Sequence, residues 1–189
     1  MSHQLNAIRK TLKESASDAT AESHKKFVPG VSKLYGVSMP VLNSLAKQYK
    51  DGGFNLVEEM SDSDVIEEKV LAAKLLGLVA KKDPAKAIRL FKTLSKGIDN
   101  WAVCDALGMQ ALKPIVKTHA DDIFKLARRY NDSENLWLRR LSLVMVEWYT
   151  RDKSYHDSIL KLVKNLEGDK EYYVRKAVEW IKRNIIKKR

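Results

Sequence analysis

The stretch Ile98-Asp99-Asn100-Trp101-Ala102-Val103-Cys104-Asp105 decides how the chain is read. A short acidic side chain, Asp99, stands directly before an apolar periodic run, which is how helices begin: its oxygen can accept hydrogen bonds from the unpaired amides of the first turn. The same arrangement recurs at Ser63, Ser133 and Asp169, at spacings of 36, 34 and 36 residues. Between these starts lie second-helix starts at Asp83-Pro84, near His119-Ala120 and at Ser154, with Gly97 and Gly168 as stops. The repeating unit is therefore a helix pair.

Helix pairs recurring at this length predict a solenoid, because each pair buries its apolar face only by stacking on its neighbours. The expected fold is all-α, a HEAT-like helical-repeat solenoid, or α-α superhelix. The period is close to that of a tetratricopeptide repeat, but that repeat's small-residue and aromatic spacing is not evident. The repeats are assigned to residues 61–189. Residues 1–60 are read as N-terminal capping helices, near 3–19 and 39–50, flanking the turn-rich stretch Val28-Pro29-Gly30-Val31-Ser32-Lys33-Leu34-Tyr35-Gly36. With 189 residues, 44% of them hydrophobic, the whole is expected to form a single all-helical domain.

Charge narrows the partner. The net charge is +11, and from Lys170 to Arg189 eight basic residues face two acidic ones, a net +6. An anionic partner fits that balance, with a solvated basic tail as the bland alternative. No apolar run approaches the length of a membrane span and the N-terminus lacks a signal-peptide core, so a cytoplasmic protein is expected. The single cysteine, Cys104, excludes an internal disulfide framework and a cysteine-based zinc site, and suits small core packing better than nucleophilic chemistry. His3, His24, His119 and His156 are too scattered for a metal site, and no phosphate-binding glycine loop is present, so neither metal nor cofactor is expected.

The first helices hold the unusual residues. Trp101 and Asp105 are four apart, so a ring and a carboxylate share one helix face. Counted from the helix starts, Asp105 is sixth, Arg140 seventh, and Arg175 and Lys176 sixth and seventh, which in a stacked array sets an acid within a basic strip. Trp180, four after Lys176, could bring a second ring near Trp101. The alternatives are that both tryptophans are core and that Asp105 only pairs with Arg140.

Three segments carry a resemblance: Ile98 to Asp105; Asn135-Leu136-Trp137-Leu138-Arg139-Arg140; and Glu171-Tyr172-Tyr173-Val174-Arg175-Lys176-Ala177-Val178-Glu179-Trp180. Together, in this order, they resemble the AlkD family of DNA alkylation repair glycosylases. Phe27 to Leu45 and the helix from Glu67 to Leu76 extend the likeness, whereas Thr20 to Lys26 does not match that family's DNA-contacting helix. The resemblance implies an active site of Trp101, Asp105, Arg140 and Trp180, a duplex DNA partner bearing purines alkylated at N3 or N7, and a monomer. Arg139, Arg175, Lys176, Lys182 and Arg183 are the expected DNA contacts, with plain solvation the alternative at Arg139. A DNA-binding module without chemistry and a helical scaffold for another protein are the competing readings. The Val28 to Ser32 stretch also resembles the glycine hairpin of helix-hairpin-helix glycosylases, with Ser32 in place of the second glycine and no matching catalytic lysine or aspartate.

Overall fold

The computed structural model describes residues 2–31 and 33–187; Ser32 of the hairpin-like stretch and Lys188 and Arg189 of the basic end lie outside the described residues. The described residues contain α-helices joined by turns and short 3₁₀ segments, and no strand. In order these are α1 (His3–Glu14), α2 (Asp18–Phe27), α3 (Met39–Gln48), α4 (Gly53–Glu59), α5 (Ile66–Val79), α6 (Pro84–Ser95), α7 (Trp101–Ala106), α8 (Ala120–Asn131), α9 (Leu136–Val144), α10 (His156–Leu166) and α11 (Tyr172–Lys187). The all-α expectation holds. The chain divides into two compact units, Met1–Pro114 and Ile115–Arg189.

In the first unit α5 is the central element, packed against α3, α4, α6 and α7. Its apolar residues leave no polar face, so it is buried nearly all round, as a helix with no solvated stripe must be. Two carboxylates at its start are 1% exposed and survive there because every oxygen is occupied. Glu67 accepts backbone N–H groups from Tyr35 (3.0 Å), Gly36 (2.8 Å) and Val37 (3.1 Å). Glu68 accepts two bonds from Arg9 of α1, both 2.9 Å, and the Tyr35 hydroxyl at 2.9 Å. One turn of α5 thus pins both α1 and the turn-rich stretch.

The N-terminal segment is not one long helix. Ser17 caps a separate α2 by accepting from the Thr20 amide, and Gly36 makes the junction possible. With φ at +84°, Gly36 lies in left-handed backbone, and a Cβ there would meet the Ser17 carbonyl at 2.7 Å.

In the second unit α9 packs on α8, α10 and α11, over a core that includes Ile123, Leu141, Val144, Ile159, Val174 and Ile181. Phe124, Tyr149 and Tyr155 form an aromatic cluster with ring centroids 4.7 to 5.6 Å apart.

The expected helix starts need a shift of one or two residues. Ser63, Ser133 and Asp169 accept from the amide two residues later, at Val65, Asn135 and Glu171, and so stage the turn before the helix. The caps themselves include Asn100, accepting from Val103, and Asn135, accepting from Trp137. Asp83 caps α6 as read.

Candidate active site

Asn100 fixes where α7 begins. It is buried, its Oδ1 accepts from the Val103 amide at 3.0 Å, and its Nδ2 donates to Asp99 at 2.7 Å. Val103, Cys104 and Ala106 pull the helix onto the core, leaving Trp101 and Asp105 half-buried on the other side, one turn apart. Neither is a core residue. The Trp101 indole donates to the Phe27 carbonyl at 3.0 Å, so the ring's edge is tethered to the end of α2. Phe27 itself is 61% exposed. After six residues α7 widens into a π-turn, Leu107–Ala111.

In sequence register the sixth position after each turn residue is, in order, Lys69, Asp105, Arg139 and Arg175, a row along the chain. Where the row is basic, its members hold the fold together. Within the first unit Lys69 Nζ donates to Asp99 Oδ2 at 2.6 Å, reaching thirty residues on to the next helix start, and Lys33 pairs with Asp64 in the same manner. Within the second unit the Arg139 guanidinium grips Asp169 at 2.6 and 3.3 Å, again thirty residues on. Asp105 inverts the charge of this row.

Arg139 has two more partners, the carbonyls of Ser133 (3.0 Å) and Glu134 (2.8 Å). Burial pushes the Asp169 carboxyl up, but the hydrogen bonds from Arg139 and the Glu171 amide outweigh it and hold the group below the usual carboxylate range. Arg175 repeats the carbonyl contacts, to Asp169 (3.4 Å) and Lys170 (2.5 Å), and is otherwise exposed. Arg140 is 8% exposed and donates to the Tyr173 carbonyl at 2.7 Å, tying α9 to the first turn of α11. Beside it the Trp137 and Tyr173 rings lie 5.3 Å apart.

Trp180 is half-buried on α11. Of the cations expected to meet DNA, Lys176 pairs with Glu179 at 3.1 Å and Lys182 with Glu167, in exposed positions where such pairs are weak and exchangeable. Arg183 is exposed. Trp101 and Asp105 thus belong to the first unit, and Arg140, Trp180 and the basic set to the second.

The DNA alkylation repair enzyme family matches residues 8–189, from within α1 through the end of the chain. The chain belongs to that family. As a DNA alkylation repair enzyme it is an enzyme of DNA repair and its partner is DNA. No curated protein matches the chain. Among the described residues no group of three or more His, Cys, Asp or Glu side chains is placed to hold a metal ion, and no helix is long and apolar enough to cross a membrane.

Sequence reading missed three features of this DNA alkylation repair enzyme: the Phe27 carbonyl under Trp101, the buried carboxylates Glu67 and Glu68, and Lys74 within α5. The last two did leave a signal, since charged residues sit inside or against the long apolar run of Ile66 to Leu76.

Proposed function

We propose that the protein is a DNA glycosylase that hydrolyses the N-glycosidic bond of purines made cationic by alkylation at N3 or N7, acting on duplex DNA as a monomer. The observation that carries this reading is the Trp101–Asp105 pair: a tethered indole and a carboxylate one turn apart, with the carboxylate replacing a cation in an otherwise basic row.

An alkylated purine already carries a positive charge, so it leaves without being protonated and the enzyme needs no general acid for it. What develops as the bond breaks is positive charge on the deoxyribose. Asp105 stabilises that charge and orients the water that attacks C1′, while the departing base takes the electron pair of the N-glycosidic bond. Indole faces attract cations, so Trp101 and Trp180 recognise the charged nucleotide and pack on its sugar. Arg140, which donates to the Tyr173 carbonyl, grips a flanking phosphate. Arg175, Lys176, Lys182 and Arg183 contribute backbone affinity that is sensitive to salt.

The test is release of free base from methylated duplex DNA, with 7-methylguanine resolved from 3-methyladenine. Asp105→Asn is expected to lower release by about 10² to 10³-fold, the range for removing one preorganised electrostatic group, with duplex affinity kept. Normal release by Asp105→Asn overturns the mechanism. No release by the wild type, with tight duplex binding, makes the protein a DNA-binding module without base excision.

A further inference from the structure

Lys74 sits in the middle of the apolar run Val70-Leu71-Ala72-Ala73-Lys74-Leu75-Leu76 of α5, only 7% exposed. Its ammonium donates to Asn43 Oδ1 of α3 at 2.7 Å and to Gln110 Oε1 of the π-turn at 3.0 Å. Among the described residues no carboxylate pairs with it. Burial lowers its pKa from the ordinary lysine value, as it must for a charge taken out of water without a counter-ion. Such a residue is costly to keep in a helix that is otherwise all core.

The geometry around it is specific. An ammonium can only donate, so the two amide groups that meet it must present their oxygens to Lys74 and turn their NH₂ groups away. No acceptor takes those NH₂ groups among the described residues. Asn43, Lys74 and Gln110 all line one open cavity of about 290 Å³, whose remaining walls are Ala46, Lys47 and Leu78. Lys47 follows Asn43 by one turn of α3, which adds a second ammonium. The polar side chains of the lining are therefore two lysines and two amides, with no carboxylate. The fold builds this deliberately close: a Cβ on Gly77 would meet the Gln110 carbonyl at 2.5 Å, so only glycine lets the π-turn approach α5 near enough for Gln110 to reach Lys74.

We propose that this cavity in the first unit is a phosphate-binding pocket, with Lys74 as the buried charge that the anion neutralises. A tetrahedral oxyanion accepts from several directions at once, which suits an open cavity lined by two lysines and two amides with no carboxylate. The phosphate can come from two sources, a backbone phosphodiester of DNA or a free phosphate group, and the pocket's chemistry is the same for both. Neither Trp101 nor Asp105 lines the pocket, so base excision can fail while this proposal stands.

The test uses the full-length protein, its Lys74→Met and Lys74→Gln variants, and Lys92→Met as a control for lost charge on an exposed helix position. The first arm is thermal denaturation with inorganic phosphate against chloride at matched ionic strength; the second is the salt dependence of duplex DNA binding. Phosphate is expected to raise the midpoint of the wild type and of Lys92→Met, but of neither Lys74 variant. A fall of about one in the slope of log K against log salt, specific to the Lys74 variants, assigns the pocket to the DNA backbone. A phosphate response without that slope change assigns it to a free phosphate, and the slope change alone assigns it to a backbone phosphate bound only within a duplex. The proposal is overturned if the Lys74 variants keep the wild-type phosphate response, or if phosphate has no effect and their salt slopes match Lys92→Met. Circular dichroism of both variants guards against a folding defect, and replacing an unpaired buried charge by Met is expected to leave the fold intact.

Discussion

Two arginines in the second unit, both expected from sequence to meet DNA, part company once their surroundings are known. Arg139 is locked onto Asp169 and two carbonyls, whereas Arg183 stands exposed. Arg139→Ala leaves a nearly buried carboxylate unpaired and should cost about 3 kcal/mol or more in chemical denaturation, with little change in the salt slope of DNA binding. Arg183→Ala should do the opposite: unchanged stability and a slope lower by about one. Glu68 offers a pH test. Burial raises its carboxyl's pKa, but the bonds from Arg9, Ser63 and Tyr35 outweigh burial and hold it below its ordinary value near 4.5. A folded pKa below the unfolded one stabilises above about pH 4.5 and is lost as pH falls through the lowered value. Denaturation midpoints should therefore fall below pH 4.5 in the wild type, and Glu68→Gln, weaker at pH 7, should fall less. Trp101, Asp105, Arg140 and Trp180 could be singled out in the sequence because they belong to motifs, and that they act together belongs to the proposed function. What Arg139 does was not legible, because its partner lies thirty residues away and sequence spacing does not specify which carboxylate a guanidinium will find.

Among the elements, the first helix of each repeat was legible, since Ile66, Val70, Leu71 and Leu75 keep one period and short polar residues stand before it. Its first residue was not, because Ser63, Ser133 and Asp169 bond the amide two residues later and the helix starts only after that turn. The break between α1 and α2 escaped for a related reason: α2 buries no residue, so it carries no apolar stripe to read, and only the Ser17 cap announces it. The π-turn after α7 has no sequence signature of its own. Its fit against α5 depends on Gly77, and Gly77→Ala, a favourable change in an isolated helix, should here lower the thermal midpoint and disturb the Lys74–Gln110 contact. A crystal structure of that variant measures the displacement directly.

At the scale of the molecule, composition and family agree: a net charge of +11 suits a DNA partner, and membership in the DNA alkylation repair enzyme family names the polymer that the charge attracts. The repeat was legible in the spacing of the helix starts, and the pairs Lys69–Asp99 and Arg139–Asp169 give that spacing a physical basis, one in each unit. The division into units centred on α5 and on α9 was not legible, because no linker or shift of composition marks position 114.

The bond from the Trp101 indole to the Phe27 carbonyl joins residues 74 apart. An indole N–H gives a proton resonance well clear of the crowded amide region, and this chain has four tryptophans to assign. The shift and solvent-exchange rate of the Trp101 signal therefore report, at a single atom, whether the end of α2 is seated on α7, and a titration with duplex DNA can be followed at that one peak as the strand arrives.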